Sequence, residues 1–372
     1  LKRVLIFYSH FAPSFKGGGP VQSLVNLVEN LKDDFLFFTV CSAYETGETK
    51  ILDGVKPDEW NDYNANIKVF YSSKISYKIL KTLFLQTNPD VVYINGIYLP
   101  FYNWLPLYIA RQQNKKIILA SRGMLQPAAL AVKPLKKKIF LFLFKLSGLY
   151  KNVRWHATDR QEQIDIKRKM GDHANIEIAP NIPKTPLRSW LWRSKTKNEL
   201  RLIYLSLIAE MKNLYLILET LKEIKVPIVF DIYGPIKDAS YWQSCQPLMV
   251  NQIHKISYRG TVNPFEVQSK LQEYHAFILP TKGENFGHAI YEALSAGTIP
   301  IISPFTPWGH LQQHQAGITV DSWQINDWAV DVEQLVRMDQ EEFSIVSQNS
   351  FALAKNYFEK NDFKSDYKNL FG

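Results

Sequence analysis

Two glutamates, Glu284 and Glu292, bracket the segment ENFGHAIYE inside the longer stretch LPTKGENFGHAIYEALSAGTIPIIS (279–303). On one continuous helix they would sit about 12 Å apart along the axis and on different faces, too far to act as a close carboxylate pair. If Glu284 lies in a loop and Glu292 two turns into a helix, both can face one ligand laid across the helix start. The amides of Asn285, Phe286, Gly287 and His288 would point at that ligand, and a helix N-terminus with close backbone access at glycine favours a phosphate. One carboxylate would then accept hydrogen bonds from a ribose and the other from a sugar. The competing reading makes Glu284 a helix cap and Glu292 a solvated surface charge, and spacing alone leaves both open.

The surrounding pattern says what must hold these residues. An apolar run from His275 to Leu279 closes at Pro280, Thr281 to Glu284 is polar, and Ala289, Ile290, Ala293, Leu294 and Ala296 recur at helical spacing until Gly297. Ile299–Ile302 starts a second buried strand. The same strand, loop, helix order opens the chain: Val4–Tyr8, then SHFAPSFKGGGP, then a helical pattern over Val21–Leu31. Gly17, Gly18 and Gly19 either let backbone amides approach a phosphate or form a flexible turn. It recurs at Leu200–Leu205, SLIAEMKN and a helix over Leu214–Ile224, which sets Lys212 where it could pair with a diphosphate or stand as a surface lysine.

Further strands are expected at Phe35–Cys41, Ile67–Tyr71, Asp90–Asn95, Lys116–Ala120, Ile176–Pro183, Val226–Gly234 and Ile256–Val262, with a polar, turn-rich loop over Tyr44–Asn66. In an open parallel sheet ligands collect beyond the carboxyl ends of the strands, so Asn95, Arg122 and Gly123 should border a cleft. Arg122 reads either as a cleft cation for phosphate or acceptor, or as half of a structural salt bridge.

At 372 residues, with 46% apolar residues, the chain is long enough for two cores. Cys41 and Cys245 stand alone without metal-ligand spacing, which points to a reducing compartment and to no metal site. No run reaches the roughly 18 apolar residues of a membrane helix, and the first residues read as a strand rather than a signal peptide, so a cytoplasmic protein is expected. The net charge of +9 calls for anionic partners. Lys133–Arg154 (KPLKKKIFLFLFKLSGLYKNVR) adds seven basic residues around the apolar Ile139–Phe144, a pattern that fits either an anionic membrane surface or a core helix with a solvated lysine edge. Nucleic acid is excluded as a partner, since no recognised binding module accompanies the lysines.

The string GENFGHAIYEALSAGTIPIIS resembles the Glu, seven residues, Glu signature of the retaining glycosyltransferases of family 4, which have the GT-B fold: two Rossmann-like, doubly wound α/β domains facing an interdomain cleft. The resemblance takes in Phe286 and Gly287 between the acids, the Glu-Ala-Leu of the helix, and the Gly and Pro that follow. It implies that Glu284 holds the sugar of a UDP- or GDP-sugar donor, that Glu292 holds its ribose, and that Lys212 grips its phosphates. It further implies that Gly17–Gly19 reach the donor diphosphate and the acceptor, and that Gly234 and Tyr258 line the base. Trp308, in SPFTPWGHL, is expected near the phosphates or acceptor, with a core tryptophan as the other reading. WHATD (155–159) is similar to a strand end of the family, which makes His156 structural. Three positions depart from the pattern: Leu207 stands where relatives carry a phosphate-gripping arginine, Arg122 lies where many carry a histidine nearby, and Ile182 replaces a glycine.

The expected organisation is an acceptor-binding domain over residues 1–183, a proline- and charge-rich linker over 184–198, a nucleotide-sugar domain over 199–350, and a C-terminal helix over 351–372 crossing back to the first domain. The resemblance implies a retaining, metal-independent hexosyltransferase. Its nucleotide sugar is a substrate and it takes no cofactor; its acceptor is a lipid-linked saccharide of a bacterial surface polysaccharide such as lipopolysaccharide or capsule. The enzyme would lie peripherally on the inner face of the plasma membrane. A nucleotide-sugar-binding scaffold without turnover and a GT-B nucleotide-sugar epimerase are the competing functions.

Overall fold

A computed structural model describes residues 1–131, 133–250 and 252–372. The chain divides into two compact units, Leu1–Ile182 with Asp362–Gly372, and Pro183–Asn361.

Unit 1 holds an eight-stranded sheet of β1 (Lys2–Phe7), β2 (Phe35–Ser42), β3 (Trp60–Asn64), β4 (Ile67–Ser72), β5 (Val91–Asn95), β6 (Lys116–Ala120), β7 (Arg154–Ala157) and β8 (Ile176–Ile178). Their order is β3-β4-β2-β1-β5-β6-β7-β8. Every pairing is parallel except the edge hairpin β3–β4, which carries a register shift between Asp62 and Asn64. Strands such as VVYIN are buried at every residue, as a parallel sheet covered on both faces requires. The polar stretch Tyr44–Asn66 is thus not loop throughout: Trp60–Asn64 pairs on β4, a short edge strand whose half-exposed residues leave no apolar run to see.

Unit 2 repeats the plan with β9 (Arg201–Leu205), β10 (Val229–Tyr233), β11 (Lys255–Tyr258), β12 (Ala276–Leu279), β13 (Ile299–Ile302) and β14 (Ile318–Thr319), all parallel, in the order β11-β10-β9-β12-β13-β14. In both units the first strand has neighbours on each side, so the strand order reverses at β1/β5 and at β9/β12. Those switch points are where an open α/β sheet opens a crevice for ligands.

Two boundaries differ from expectation. Residues 184–198 are not a free linker but a strap laid on unit 2. Trp190 Nε1 donates to Ser347 Oγ at 2.8 Å, Arg193 donates to Tyr274 O at 3.1 Å and to Thr298 Oγ1 at 2.9 Å, and Lys195 Nζ reaches the carbonyls of Val336 and Met338 at 3.3 and 3.1 Å. Both basic side chains are buried, because carbonyls at the ends of neighbouring elements accept their protons. The return to unit 1 begins at Asp362 rather than 351: Gln340–Lys360 is one helix of unit 2, and Phe363–Phe371 docks on unit 1. There the Phe371 ring lies 5.2 Å from Phe35 and 5.4 Å from Tyr93, and Lys368 pairs with Asp34 at 2.7 Å.

Candidate functional site

In unit 2 the loops leaving β9 and β12 come together. The first makes a single helical turn, Glu210–Lys212, and then places Asn213 in the left-handed region (φ 54°) before the helix Leu214–Glu223. The second is tied to it by the Lys282 amide, which donates to Met211 O at 2.9 Å, and by a Lys282–Glu210 ion pair at 2.9 Å. Lys212 and Glu284 meet across the two loops in an ion pair, largely shielded from water. The Glu284 amide donates to Phe305 O at 3.0 Å. Glu284 is therefore no helix cap. The helix His288–Ser295 starts after Gly287, itself left-handed (φ 78°), and no side chain caps its first turn. Asn285 forms part of the bend before it, and His288, its first residue, packs its ring 4.7 Å from Phe286.

Glu292 is not a surface charge either: only 5% of it is exposed. Its Cα–Cβ bond tilts back toward the helix start. Loss of water pushes its carboxyl up to about 7, against the pull of the Lys184 ammonium, so near neutral pH it is divided between its two forms. Among the described residues no hydrogen-bond donor reaches it, and Lys184 itself donates to Pro264 O at 2.9 Å and Phe265 O at 3.2 Å. Lys184 escaped the sequence reading because it lies in the stretch taken for linker, and nothing in linear spacing links it to Glu292.

Gly234 (φ 139°) ends β10 where the β9 loop crosses it; a Cβ there would sit 1.8 Å from Ser206 O. Glycine is required because backbone passes directly over backbone. Tyr258 donates its hydroxyl to Gly234 O at 2.9 Å and leans on Trp242 at 4.9 Å, so it props this crossing. Next to it, Arg259 pairs with Asp231 at 2.8 Å. Leu207, in the same β9 loop, brings no cation, and its carbonyl accepts from Tyr204 OH at 3.3 Å.

In this unit the structure distinguishes the two readings of Trp308. Trp308 is 7% exposed, donates Nε1–H to Phe286 O at 2.6 Å, and packs with Phe286, Tyr291 and Tyr357 at 5.0–5.6 Å between ring centres. It is the core tryptophan of the two readings. The Phe286 side chain is buried in the same cluster, which leaves only its backbone for a ligand.

In unit 1, Arg122 is no cleft cation. It is 8% exposed and each nitrogen is engaged: Nε on Asn95 Oδ1 at 2.9 Å, Nη1 on Asn181 Oδ1 at 2.6 Å, Nη2 on Tyr93 OH at 2.7 Å. Nor is it half of a salt bridge, since all three acceptors are neutral. Tyr93 OH passes the chain on to His156 Nδ1 at 2.7 Å, and His156 Nε2 donates to Ala179 O at 2.7 Å. Burial pushes His156 down to about 4, so it stays neutral, a structural link as the sequence implied. Asn95 and Gly123 are drawn inward too: Asn95 O accepts from Asn103 at 2.9 Å, and the Gly123 amide donates to buried Glu162 at 2.6 Å. All three serve the core of unit 1. Gly17–Gly19 lead into the helix Gly19–Leu31 with Gly18 (φ 73°) at its cap and no side-chain cap. A Cβ on Gly17 would meet Val21 Cγ2 at 2.8 Å.

The basic segment forms the helix Pro134–Leu146. Its inner stripe, Phe140 and Phe144, packs on Tyr98 and Trp104 at 4.9–5.4 Å. Its outer stripe is also apolar: Leu135, Ile139, Phe142, Leu143 and Leu146, at offsets of 4, 7, 8 and 11 residues, are all exposed. Lys136, Lys138 and Lys145 flank that stripe and are exposed as well. No helix among the described residues is long and apolar enough to cross a membrane, and among them no group of histidine, cysteine and carboxylate side chains is arranged to hold a metal.

Two doubly wound α/β units with parallel sheets make the fold that of the GT-B glycosyltransferases. Within it, residues 190–350 match the family model of glycosyl transferases group 1. Sucrose-phosphate synthase from Thermosynechococcus elongatus has a similar structure, at 13% identity and a TM-score of 0.76, over 100% of this chain and 98% of that one. HepE of Anabaena, solved with UDP and glucose, gives 12% and 0.70 over 100% and 98%. WaaG, a glycosyltransferase involved in lipopolysaccharide biosynthesis, gives 10% and 0.61 over 99% and 98%. A search of curated proteins finds no sequence match. Match and fold together support a glycosyltransferase of GT-B architecture.

Proposed function

We propose that the chain is a retaining glycosyltransferase of family 4 that moves a sugar from a UDP- or GDP-sugar to a hydroxyl of a lipid-linked saccharide. The observation that carries it is Glu292: a buried, largely protonatable carboxylate without a donor, set in an uncapped helix beside an ion pair that a ligand could open. A ribose hydroxyl pair supplies the missing donors. The diphosphate then lies over the first amides of the helix and draws Lys212 away from Glu284, which is freed to accept from the donor sugar's hydroxyls. Fixed amides and one ammonium stabilise charge as it builds on the leaving phosphate, the kind of preorganised electrostatics that dominates many rate enhancements. The leaving phosphate takes the acceptor proton in a front-face displacement, so the reading calls for neither metal nor cofactor. HepE, solved with UDP and glucose, and WaaG, named for lipopolysaccharide biosynthesis, support a nucleotide sugar and a surface glycan as the substrate classes.

The outward stripe of Pro134–Leu146 supports a place on the inner, anionic face of the plasma membrane, where a lipid-linked acceptor lies. A binding scaffold without turnover stands as the second reading, because the one cation of SLIAEMKN is neutralised by Glu284 and Leu207 adds none. Thermal unfolding with a panel of UDP- and GDP-sugars tests both. One donor at 100 times its Kd should add about 2.7 kcal/mol of stability, and slow hydrolysis of that donor marks an enzyme. No stabilisation by any nucleotide sugar ends the proposal.

A further inference from the structure

We propose that unit 2 carries a second ligand site next to the Lys212–Glu284 pair, a subsite for a neutral glycan built on the aromatic rings of Phe305 and Trp323. The two rings are parallel within 4° at 5.6 Å between centres, and unlike the buried aromatic pairs of this unit they stay in water, at 51% and 42% exposure. They line a cavity of about 560 Å³, within the range of small-molecule sites. Asn213, Lys282, Phe305 and Trp323 come from the loops after β9, β12, β13 and β14, so four loops from the carboxyl edge of one parallel sheet gather there, as binding loops of this fold class do.

The chemistry of the lining selects the ligand. A stacked, partly exposed aromatic pair offers an apolar platform, and a pyranose presents an apolar face of C–H groups with hydroxyls at its edge. The rim answers those hydroxyls with Asn213, Tyr215 and Glu219. Its charges cancel: Lys282 is paired with Glu210 at 2.9 Å and Glu219 with Lys222 at 2.8 Å. A net-neutral rim has no attraction for phosphate and fits an uncharged saccharide. Phe305 also ties the platform to the site, because its carbonyl accepts from the Glu284 amide and so joins the platform to the loop that presents Glu284. Calling that glycan the acceptor rests on the glycosyltransferase reading; its binding does not.

The test uses the full chain on a printed array of neutral and acidic oligosaccharides, followed by calorimetry with the best neutral oligosaccharide. Wild type should retain neutral glycans. Trp323→Ala and Phe305→Ala should bind about tenfold more weakly, while Trp323→Phe, which keeps a ring, stays within about threefold. UDP affinity should not move in any of them, which also shows that they fold. Retention of no glycan, retention of acidic glycans alone, or undiminished binding by Trp323→Ala overturns the subsite. If glycans bind through Trp323 while no nucleotide sugar stabilises the chain, the subsite stands and the enzyme reading falls.

Discussion

Replacing Glu292 with glutamine removes a charge that the fold has to bury. Below pH 4.5 the wild-type carboxyl is protonated in both folded and unfolded chains and costs nothing. Between 4.5 and about 7 the folded chain holds the extra proton, so stability falls as pH rises; above 7 the loss is complete. At 1.36 kcal/mol per pH decade, the cost grows to about 1 kcal/mol at pH 5 and about 3 kcal/mol at pH 8.5. Glu292→Gln, similar in shape and uncharged, escapes it. The variant should therefore be more stable than wild type by about 1 kcal/mol at pH 5 and about 3 kcal/mol at pH 8.5, or about 6–12 °C in Tm at the higher pH for a unit of this size. Urea unfolding of both proteins at the two pH values measures it, and comparing differences cancels every other titrating group. The same substitution should weaken UDP binding about 10- to 100-fold, the worth of a hydrogen bond to a charged group. A pH-independent gap between the two proteins, or unchanged UDP affinity in the stabilised variant, would refute the assignment of Glu292 as a buried ribose acceptor.

Other outcomes follow from the same geometry. Glu284→Gln should free Lys212 and leave UDP affinity unchanged or tighter while transfer falls at least about 100-fold, the loss of one charge-assisted contact; full turnover would remove its role on the sugar. Gly234→Ala should cost about 3 kcal/mol, since its Cβ overlaps Ser206 O; a variant of wild-type Tm would contradict the backbone crossing. Sedimentation with vesicles containing phosphatidylglycerol should pull down wild type, and Phe142→Asp with Leu143→Asp should stay in solution. Salt up to 0.5 M should weaken but not abolish wild-type binding, because the apolar stripe is not screened. Wild type left in the supernatant at low salt would end the membrane proposal.

The sheet strands were legible because a parallel sheet buried on both faces demands unbroken apolar runs, and VLIF, VVYIN, KIILA and IPII carry no other plausible reading. The edge strand Trp60–Asn64 was not, since an exposed edge needs no such run. Lys212 and Glu284 could be singled out as residue types in polar loops, but their meeting depends on two loops far apart in sequence. Arg122 shows the opposite error: a basic residue at a strand end reads as a ligand group until three neutral oxygens are found around it. The strap over residues 184–198 misled for a related reason. Proline and charge suggest solvent, yet Lys195 Nζ and the two Nη atoms of Arg193 are held by carbonyl and hydroxyl oxygens that no local pattern announces. Trp308 fits two readings by sequence, and what decides between them is its packing on Phe286 and Tyr357, which come from other elements.

The docking of Phe363–Phe371 on unit 1 sets an order for biogenesis. Unit 2 is one unbroken stretch and can assemble as it leaves the ribosome. The first unit, although translated earlier, has Phe35, Phe37 and Tyr93 uncovered until Phe371 arrives. The half that is made first thus waits for a segment translated after all of unit 2, and for that interval its aromatics are open to non-native contacts.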